Sequence, residues 1–243
     1  MLALRSLLFY LGMWLATVVI VLPIPLVLPL PPKVRYRYLT LWGRFVLWWL
    51  RVTCGVGYRV EGREHIPASA SVVLAKHQST WETIALQSIF PTQTWVLKKE
   101  LLRIPFFGWG LAAAWPIAID RKAGREALKQ VIEQGVERLR NGFWVVVFPE
   151  GTRVAPGTRG RYATGGAALA RQAGVPVVPV AHNGGEHWRR DTFLKIPGEI
   201  QVRIGPAIDT AGKSAAAITT EAETWIENAM SAIGRAGKAL SGA

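Results

Sequence analysis

His77 and Glu82 stand five residues apart in Lys76-His77-Gln78-Ser79-Thr80-Trp81-Glu82, directly after the apolar run Ser71-Val72-Val73-Leu74-Ala75. An imidazole beside a carboxylate can take a proton from a hydroxyl, with the carboxylate fixing the tautomer and stabilising the imidazolium that forms. Neighbours on one helix face are three and four residues apart, so a spacing of five is poor for contact within a single helix. With His77 in the turn before a helix, Glu82 in the first helical turns can still reach the ring. Such pairs are also common as satisfied polar contacts, and this one alone identifies no reaction. Zinc is disfavoured, because His65, His182 and His187 lack a paired ligand spacing.

A second cluster, Phe148-Pro149-Glu150-Gly151-Thr152-Arg153, follows the apolar run Phe143-Trp144-Val145-Val146-Val147. Gly151 permits positive φ or close backbone approach, and Thr152 offers a hydroxyl. Arg153 can grip a phosphate with two parallel N–H groups, and Glu150 can order a cation or a substrate hydroxyl. The bland alternative is a solvated strand-to-loop turn. Both apolar runs read as buried strands, and ligand sites in open α/β sheets lie beyond the carboxyl ends of strands. A base and an anion grip on one rim point to acyl transfer onto a phosphorylated alcohol, the alcohol attacking a thioester without an enzyme nucleophile.

Between the clusters lies Lys98-Lys99-Glu100-Leu101-Leu102-Arg103-Ile104-Pro105-Phe106-Phe107-Gly108-Trp109, and then Asp120-Arg121. Lys98 and Lys99 at a strand end can add charge for a phosphate. Leu101, Ile104, Phe106, Phe107 and Trp109 can meet an acyl chain or a bilayer, or they form a basic loop over ordinary core. In Val175-Pro176-Val177-Val178-Pro179-Val180-Ala181-His182-Asn183 the pattern is that of a buried strand, which makes His182 structural.

The elements that must position these groups alternate. Strands are predicted at 58–61, 72–75, 94–97, 115–119, 143–148, 177–181 and 200–204, and helices at 80–89, 124–140, 165–173 and 215–233. In the second helix Leu128, Val131, Ile132, Val136 and Leu139 recur at helical spacing, and Asn141-Gly142 supplies a stop. The pattern predicts an α/β fold with a mostly parallel twisted sheet flanked by helices. A frayed tail of small residues is expected after Gly234.

The chain has 243 residues, half of them hydrophobic, with eleven Trp and a net charge of +13. That charge suits an anionic partner. Nucleic acid is disfavoured by the lack of a Lys/Arg-dense arm, an RNP-like motif or zinc-finger spacing. Anionic membrane lipid fits better, since basic segments are drawn to acidic leaflets. The single cysteine, Cys54, excludes an intrachain disulfide and a thiolate metal cluster.

From Ser6 to Pro32 no residue is charged, while Arg5 precedes and Lys33, Arg35 and Arg37 follow. About twenty apolar residues span a bilayer, but prolines at 23, 25, 29, 31 and 32 end the helical part near Leu22. The segment from Tyr36 to Thr53 interleaves Trp42, Phe45, Trp48 and Trp49 with Arg44 and Arg51, a membrane-interface composition. A cleaved signal peptide is disfavoured because no small-residue site follows the apolar core. A single span with the positive side cytoplasmic remains open. The favoured reading is a two-helix anchor dipping into one leaflet.

In their order, the four motifs resemble the lysophosphatidic acid acyltransferases (1-acyl-sn-glycerol-3-phosphate acyltransferases) over about 60–206. Phe148 to Arg153 matches the family's motif residue for residue, and the blocks at 98–108 and 175–179 match as well. The His-x4-Asp motif falls on His77 and position 82, where glutamate replaces aspartate, and Lys76 stands where asparagine commonly precedes the histidine. The resemblance implies His77 as general base and Glu82 as its orienting acid. It places Lys98, Lys99, Arg121, Glu150, Gly151, Thr152 and Arg153 around the phosphate of lysophosphatidate. It further implies acyl-CoA or acyl-carrier protein as donor, no cofactor and no metal. Residues 1–55 would be the anchor and 56–243 the acyltransferase domain, on the cytoplasmic face of a bacterial inner membrane. Rival expectations are the same chemistry on a lyso-ornithine lipid or lysophospholipid, and, more remotely, a non-catalytic lipid-binding protein.

Overall fold

A computed structural model gives the fold and describes residues 1–120 and 123–234. Arg121 and the tail after Gly234 lie outside the described residues. In chain order the elements are α1 (Leu2–Val21), α2 (Ile24–Val27), α3 (Pro32–Cys54), β1 (Val56–Glu61), β2 (Val72–Ala75), α4 (Trp81–Ile89), β3 (Gln93–Lys98), α5 (Phe107–Ala113), β4 (Ile117–Ile119), α6 (Arg125–Arg140), β5 (Trp144–Val147), α7 (Gly165–Ala173), β6 (Val177–His182), α8 (Gly184–His187), β7 (Gly198–Ile204) and α9 (Ala215–Ile233). The strands form one sheet in the order β1-β7-β6-β2-β5-β3-β4. Every neighbouring pair is parallel except β6 with β7.

The mostly parallel α/β expectation therefore holds. The predicted strand at 115–119 is shorter at its start, because Trp115 adopts φ +58° and cannot belong to an extended run. Leu128, expected on the apolar face of α6, is 40% exposed, while Ala127, Val131 and Leu139 face the core.

Helices on both faces bury β2 and β6 along their whole length, which is why both read as unbroken apolar runs. Alternate residues of β2 serve opposite layers. Val73 and Ala75 pack with Val146, Val178 and Trp81, and with Val46 and Leu50 of α3. Val72 and Leu74 pack with Val145 and Val177, and with Leu169 of α7 and Ile218 and Ile226 of α9. Full burial of each such side chain contributes about 1.5–3 kcal/mol.

The expected pair of membrane helices becomes one. Among the described residues α1 alone is long and apolar enough to cross a membrane, with a mean hydropathy of 1.9. Leu4, Leu8, Leu11, Trp14, Leu15 and Val19 on α1 are all exposed. α3 starts with Pro32 at its first turn and stops at Gly55, whose φ of +66° suits a left-handed cap. It buries Tyr36, Val46, Leu47 and Leu50 in the core beside the sheet and turns Arg44 and Arg51 outward. The buried stripe of α3 packs on the core, while Leu41, Trp48 and Val52 stay exposed beside Arg44 and Arg51.

α1 runs antiparallel to α3, as three hydrogen bonds along the seam show. Trp49 Nε1 donates to the Leu8 carbonyl at 3.2 Å, Trp42 Nε1 to Thr17 Oγ1 at 2.9 Å, and Tyr38 Oη to the Ile20 carbonyl at 2.9 Å. The other end of α1 is tied to the loop before β7. Lys195 Nζ donates to Tyr10 Oη at 2.8 Å, and the Phe9 ring meets Trp188 edge-on at 5.1 Å. Gly12 lets the two helices approach, since a Cβ there would lie 2.1 Å from Trp49 Nε1. Gly12→Val should cost about 1–3 kcal/mol by overpacking, read as a lower unfolding midpoint in detergent. An unchanged midpoint would refute tight packing at this seam.

Candidate active site

β2 ends at Ala75 and α4 begins at Trp81, so His77 lies in the connecting turn and Glu82 in the first turn of α4. That placement closes the spacing of five: His77 Nδ1 is 2.8 Å from Glu82 Oε1. The same oxygen accepts the N–H groups of Gln78 at 2.9 Å and Ser79 at 2.8 Å. A carboxylate facing Nδ1 requires the proton on that nitrogen and leaves Nε2 as the basic atom. Phe148 stacks on the imidazole with ring centres 4.1 Å apart. Burial by itself raises the Glu82 carboxyl. The neighbouring His182 ring, the bond to His77 and the Ser79 N–H outweigh it and hold the group below the usual range.

Parallel pairing of β2 with β5 brings the second cluster beside the first. Val154 N–H donates to the His77 carbonyl at 2.8 Å, and Arg153 Nη1 donates to Thr80 Oγ1 at 3.0 Å. Gly151 adopts φ +67°, the left-handed turn that a glycine accepts without strain.

Glu150 faces inward rather than toward the expected phosphate. Its buried carboxylate accepts the His77 N–H at 2.9 Å through Oε2, and Lys76 Nζ at 2.7 Å through Oε1. Lys76 does not add charge beside the base, as its position next to His77 had suggested. Adjacent residues of extended chain point to opposite sides, and Lys76 is buried behind the turn. Its ammonium there also meets Glu227 Oε1 of α9 at 2.8 Å and the Thr158 carbonyl at 3.1 Å. Tyr162 donates to the same Glu227 oxygen at 2.8 Å. Burial and that carboxylate push the Tyr162 phenol far above its ordinary range.

A cleft of about 410 Å³ opens in front of His77. Its polar lining includes Thr80, Lys98, Thr152, Arg153 and Arg190, and no carboxylate lines the cleft among the described residues. Its apolar lining includes Trp42, Trp95, Leu101, Phe107 and Leu111. A narrower apolar cavity of about 80 Å³ shares Trp42, Trp95 and Leu111 with it and extends to Ile20 and Val21 of α1. Lys99 stands off the cleft, paired with Asp120 at 2.6 Å.

The fold thus unites His77, Glu82, Lys98, Gly151, Thr152 and Arg153, and sets Glu150 and Lys99 apart from the cleft. Arg190 escaped the sequence reading. Its guanidinium donates to the Arg153 carbonyl at 3.1 Å, and the one trace in the sequence is the Arg189-Arg190 pair after Trp188. Among the described residues no group of three or more His, Cys, Asp or Glu side chains could hold a metal ion.

Replacing Lys76 with Met would leave the Glu150 and Glu227 carboxylates facing one another without their cation. Unpairing a buried charge costs about 3–5 kcal/mol, so Lys76→Met should lower the thermal midpoint well beyond a surface Lys→Met control. Equal midpoints would rule out this cluster as a support of the turn.

Residues 57–183 match the family model described as Acyltransferase. The 1-acyl-sn-glycerol-3-phosphate acyltransferase of Pseudomonas aeruginosa is 46% identical over 236 residues, covering 95% of this chain and 92% of that one. The human 1-acyl-sn-glycerol-3-phosphate acyltransferase alpha is 32% identical over 176 residues, covering 70% of this chain and 61% of its own. The crystal structure of the 1-acyl-sn-glycerophosphate acyltransferase PlsC from Thermotoga maritima superposes with a TM-score of 0.75 at 28% identity, covering 93% of each chain. This chain, with its His77–Glu82 pair at the mouth of a basic and apolar cleft, belongs to the 1-acyl-sn-glycerol-3-phosphate acyltransferase family.

Proposed function

We propose that this protein moves a fatty acyl group from acyl-CoA or acyl-carrier protein to the sn-2 hydroxyl of 1-acylglycerol 3-phosphate, giving phosphatidate. The observation that carries the reading is the His77–Glu82 hydrogen bond of 2.8 Å, beside a cleft lined by both cations and apolar side chains. His77 Nε2 takes the hydroxyl proton as the oxygen attacks the thioester carbonyl. Glu82 stabilises the imidazolium that results. The tetrahedral oxyanion collapses, the C–S bond breaks, and the thiolate leaves with the proton from His77. The chemistry requires no cofactor beyond the thioester donor.

Lys98, Arg153 and Arg190 match a phosphomonoester, whose charge near neutral pH lies between one and two. Thr152 adds a hydroxyl, and the turn at Gly151 aims Thr152 and Arg153 into the cleft. Glu150 serves the site indirectly, by holding the His77 backbone. Residues 1–55 hold the protein at the membrane through the exposed face of α1, and 56–243 carry the catalysis. The cations that follow α1 support a catalytic side on the cytoplasmic face of a bacterial inner membrane.

Purified enzyme assayed with each donor tests the reading. His77→Ala should lose about 10²–10⁴-fold in turnover while remaining membrane-bound, and retained turnover would sink the role of base. Arg153→Ala and Arg190→Ala should each raise the KM for lysophosphatidate about tenfold or more, the worth of one charged hydrogen bond. An acceptor without a phosphomonoester should be indifferent to both changes. If that acceptor is instead the better substrate of the wild type, the assignment of lysophosphatidate fails.

A further inference from the structure

Behind the His77–Glu82 pair lies a buried imidazole that the transfer reaction does not use directly. His182, the last residue of β6, is 1% exposed. Its Nδ1 lies 3.1 Å from the Gly184 N–H, which donates to it. Nδ1 is therefore the acceptor nitrogen, and the ring proton is on Nε2. Nε2 in turn is 2.7 Å from the Lys76 carbonyl, a donor-to-acceptor distance typical of a strong bond. Burial also pushes the pKa of His182 down.

The Lys76 carbonyl belongs to the peptide unit whose N–H is that of His77. One end of this peptide is thus held by His182, and the other by Glu150 Oε2 at 2.9 Å. The His182 Nε2–H also faces Glu82. Glu82 Oε2 is fully buried with no hydrogen-bond partner among the described residues, and His182 Nε2 lies 3.9 Å from it. The positive edge of the ring faces an otherwise unsatisfied carboxylate oxygen, which favours the ionised form that His77 needs.

We infer that His182 is a positioning residue of the acyl-transfer site, whose Nε2–H clamps the Lys76–His77 peptide and so orients the imidazole of His77. This rests on the reading of His77 as general base. The clamp acts on the reacting geometry and not on the binding of either substrate. A misplacement of about 1 Å at a reacting group costs on the order of 10²-fold.

Two substitutions separate the ring's two hydrogen bonds. His182→Asn can keep an acceptor for the Gly184 N–H near the place of Nδ1, but it is too short to reach the Lys76 carbonyl. His182→Gln can place its amide N–H near Nε2 and restore that donor. Initial rates with lysophosphatidate and acyl donor, together with thermal unfolding, should show kcat falling about 10- to 100-fold in His182→Asn. KM for both substrates should stay within about threefold, and His182→Gln should recover most of the lost kcat. Wild-type rates in His182→Asn, an effect on KM alone, or equal losses in both variants would overturn the inference. Failure of both variants to fold would overturn it too, by making His182 a residue of the core and nothing more. Turnover retained in His77→Ala would instead overturn the reading of the base, whereas a dead His77→Ala beside a normal His182→Asn defeats this inference alone.

Discussion

The buried carboxylate of Glu150 is the interaction on which the site depends. One oxygen receives the His77 N–H and the other the ammonium of Lys76, so one side chain from the end of β5 holds two consecutive residues at the end of β2. Parallel pairing of the two strands makes this possible, because it puts both carboxyl ends at one edge of the sheet. The desolvation of Glu150 is offset only because its oxygens face a cation and backbone N–H groups. Glu227 and Tyr162 extend the same cluster and tie α9 to the turn. A helix whose Glu227 lies 151 residues further along the chain thereby stiffens the backbone under the base.

Seen from the cleft, this arrangement divides labour by face. Lys76 and Glu150 are spent behind the turn, leaving His77 in front beside Lys98, Arg153 and Arg190. The cations lining the cleft are thus kept apart from the buried carboxylates. Much of the apolar lining comes from outside the sheet, from Trp42 of α3 and from α5, and the narrower cavity reaches α1. The N-terminal helices are for this reason part of the cleft wall as well as a membrane surface. Trp188 joins the two roles, meeting Phe9 of α1 on one side and accepting the Ser79 hydroxyl at 2.6 Å through its carbonyl on the other.

Local pattern was enough for the sheet. Unbroken apolar runs such as 72–75 and 177–180 have few folds open to them besides a strand covered on both faces. The helix at 215–233 was also legible, with Ser214 capping its first turn. α3 was not. Its Trp and Arg pattern states that one face is apolar and the other wet, but a pattern of that kind does not say whether lipid or a β-sheet covers the apolar face. Leu128 was misplaced for a related reason: periodicity defines a stripe, and the neighbours α7 and β4 decide how much of the stripe is covered.

By itself the sequence determined the chemistry at hand: a histidine five residues before a carboxylate, and a glycine turn that ends in arginine. Those are short-range facts, carried by residue types and by spacings of a few positions. Only the tertiary structure decided the direction in which each group faces and the partner that it meets. Lys76 looked like a neighbour of the base and is a counter-ion behind it. Glu150 looked like a phosphate ligand and is a backbone clamp. Arg190 and His182 carried no local signal, because their partners lie 37 and 106 residues away. Hydrogen bonds and ion pairs act over about 3 Å of space, and sequence separation carries no information about that distance until parallel strands have brought their ends together.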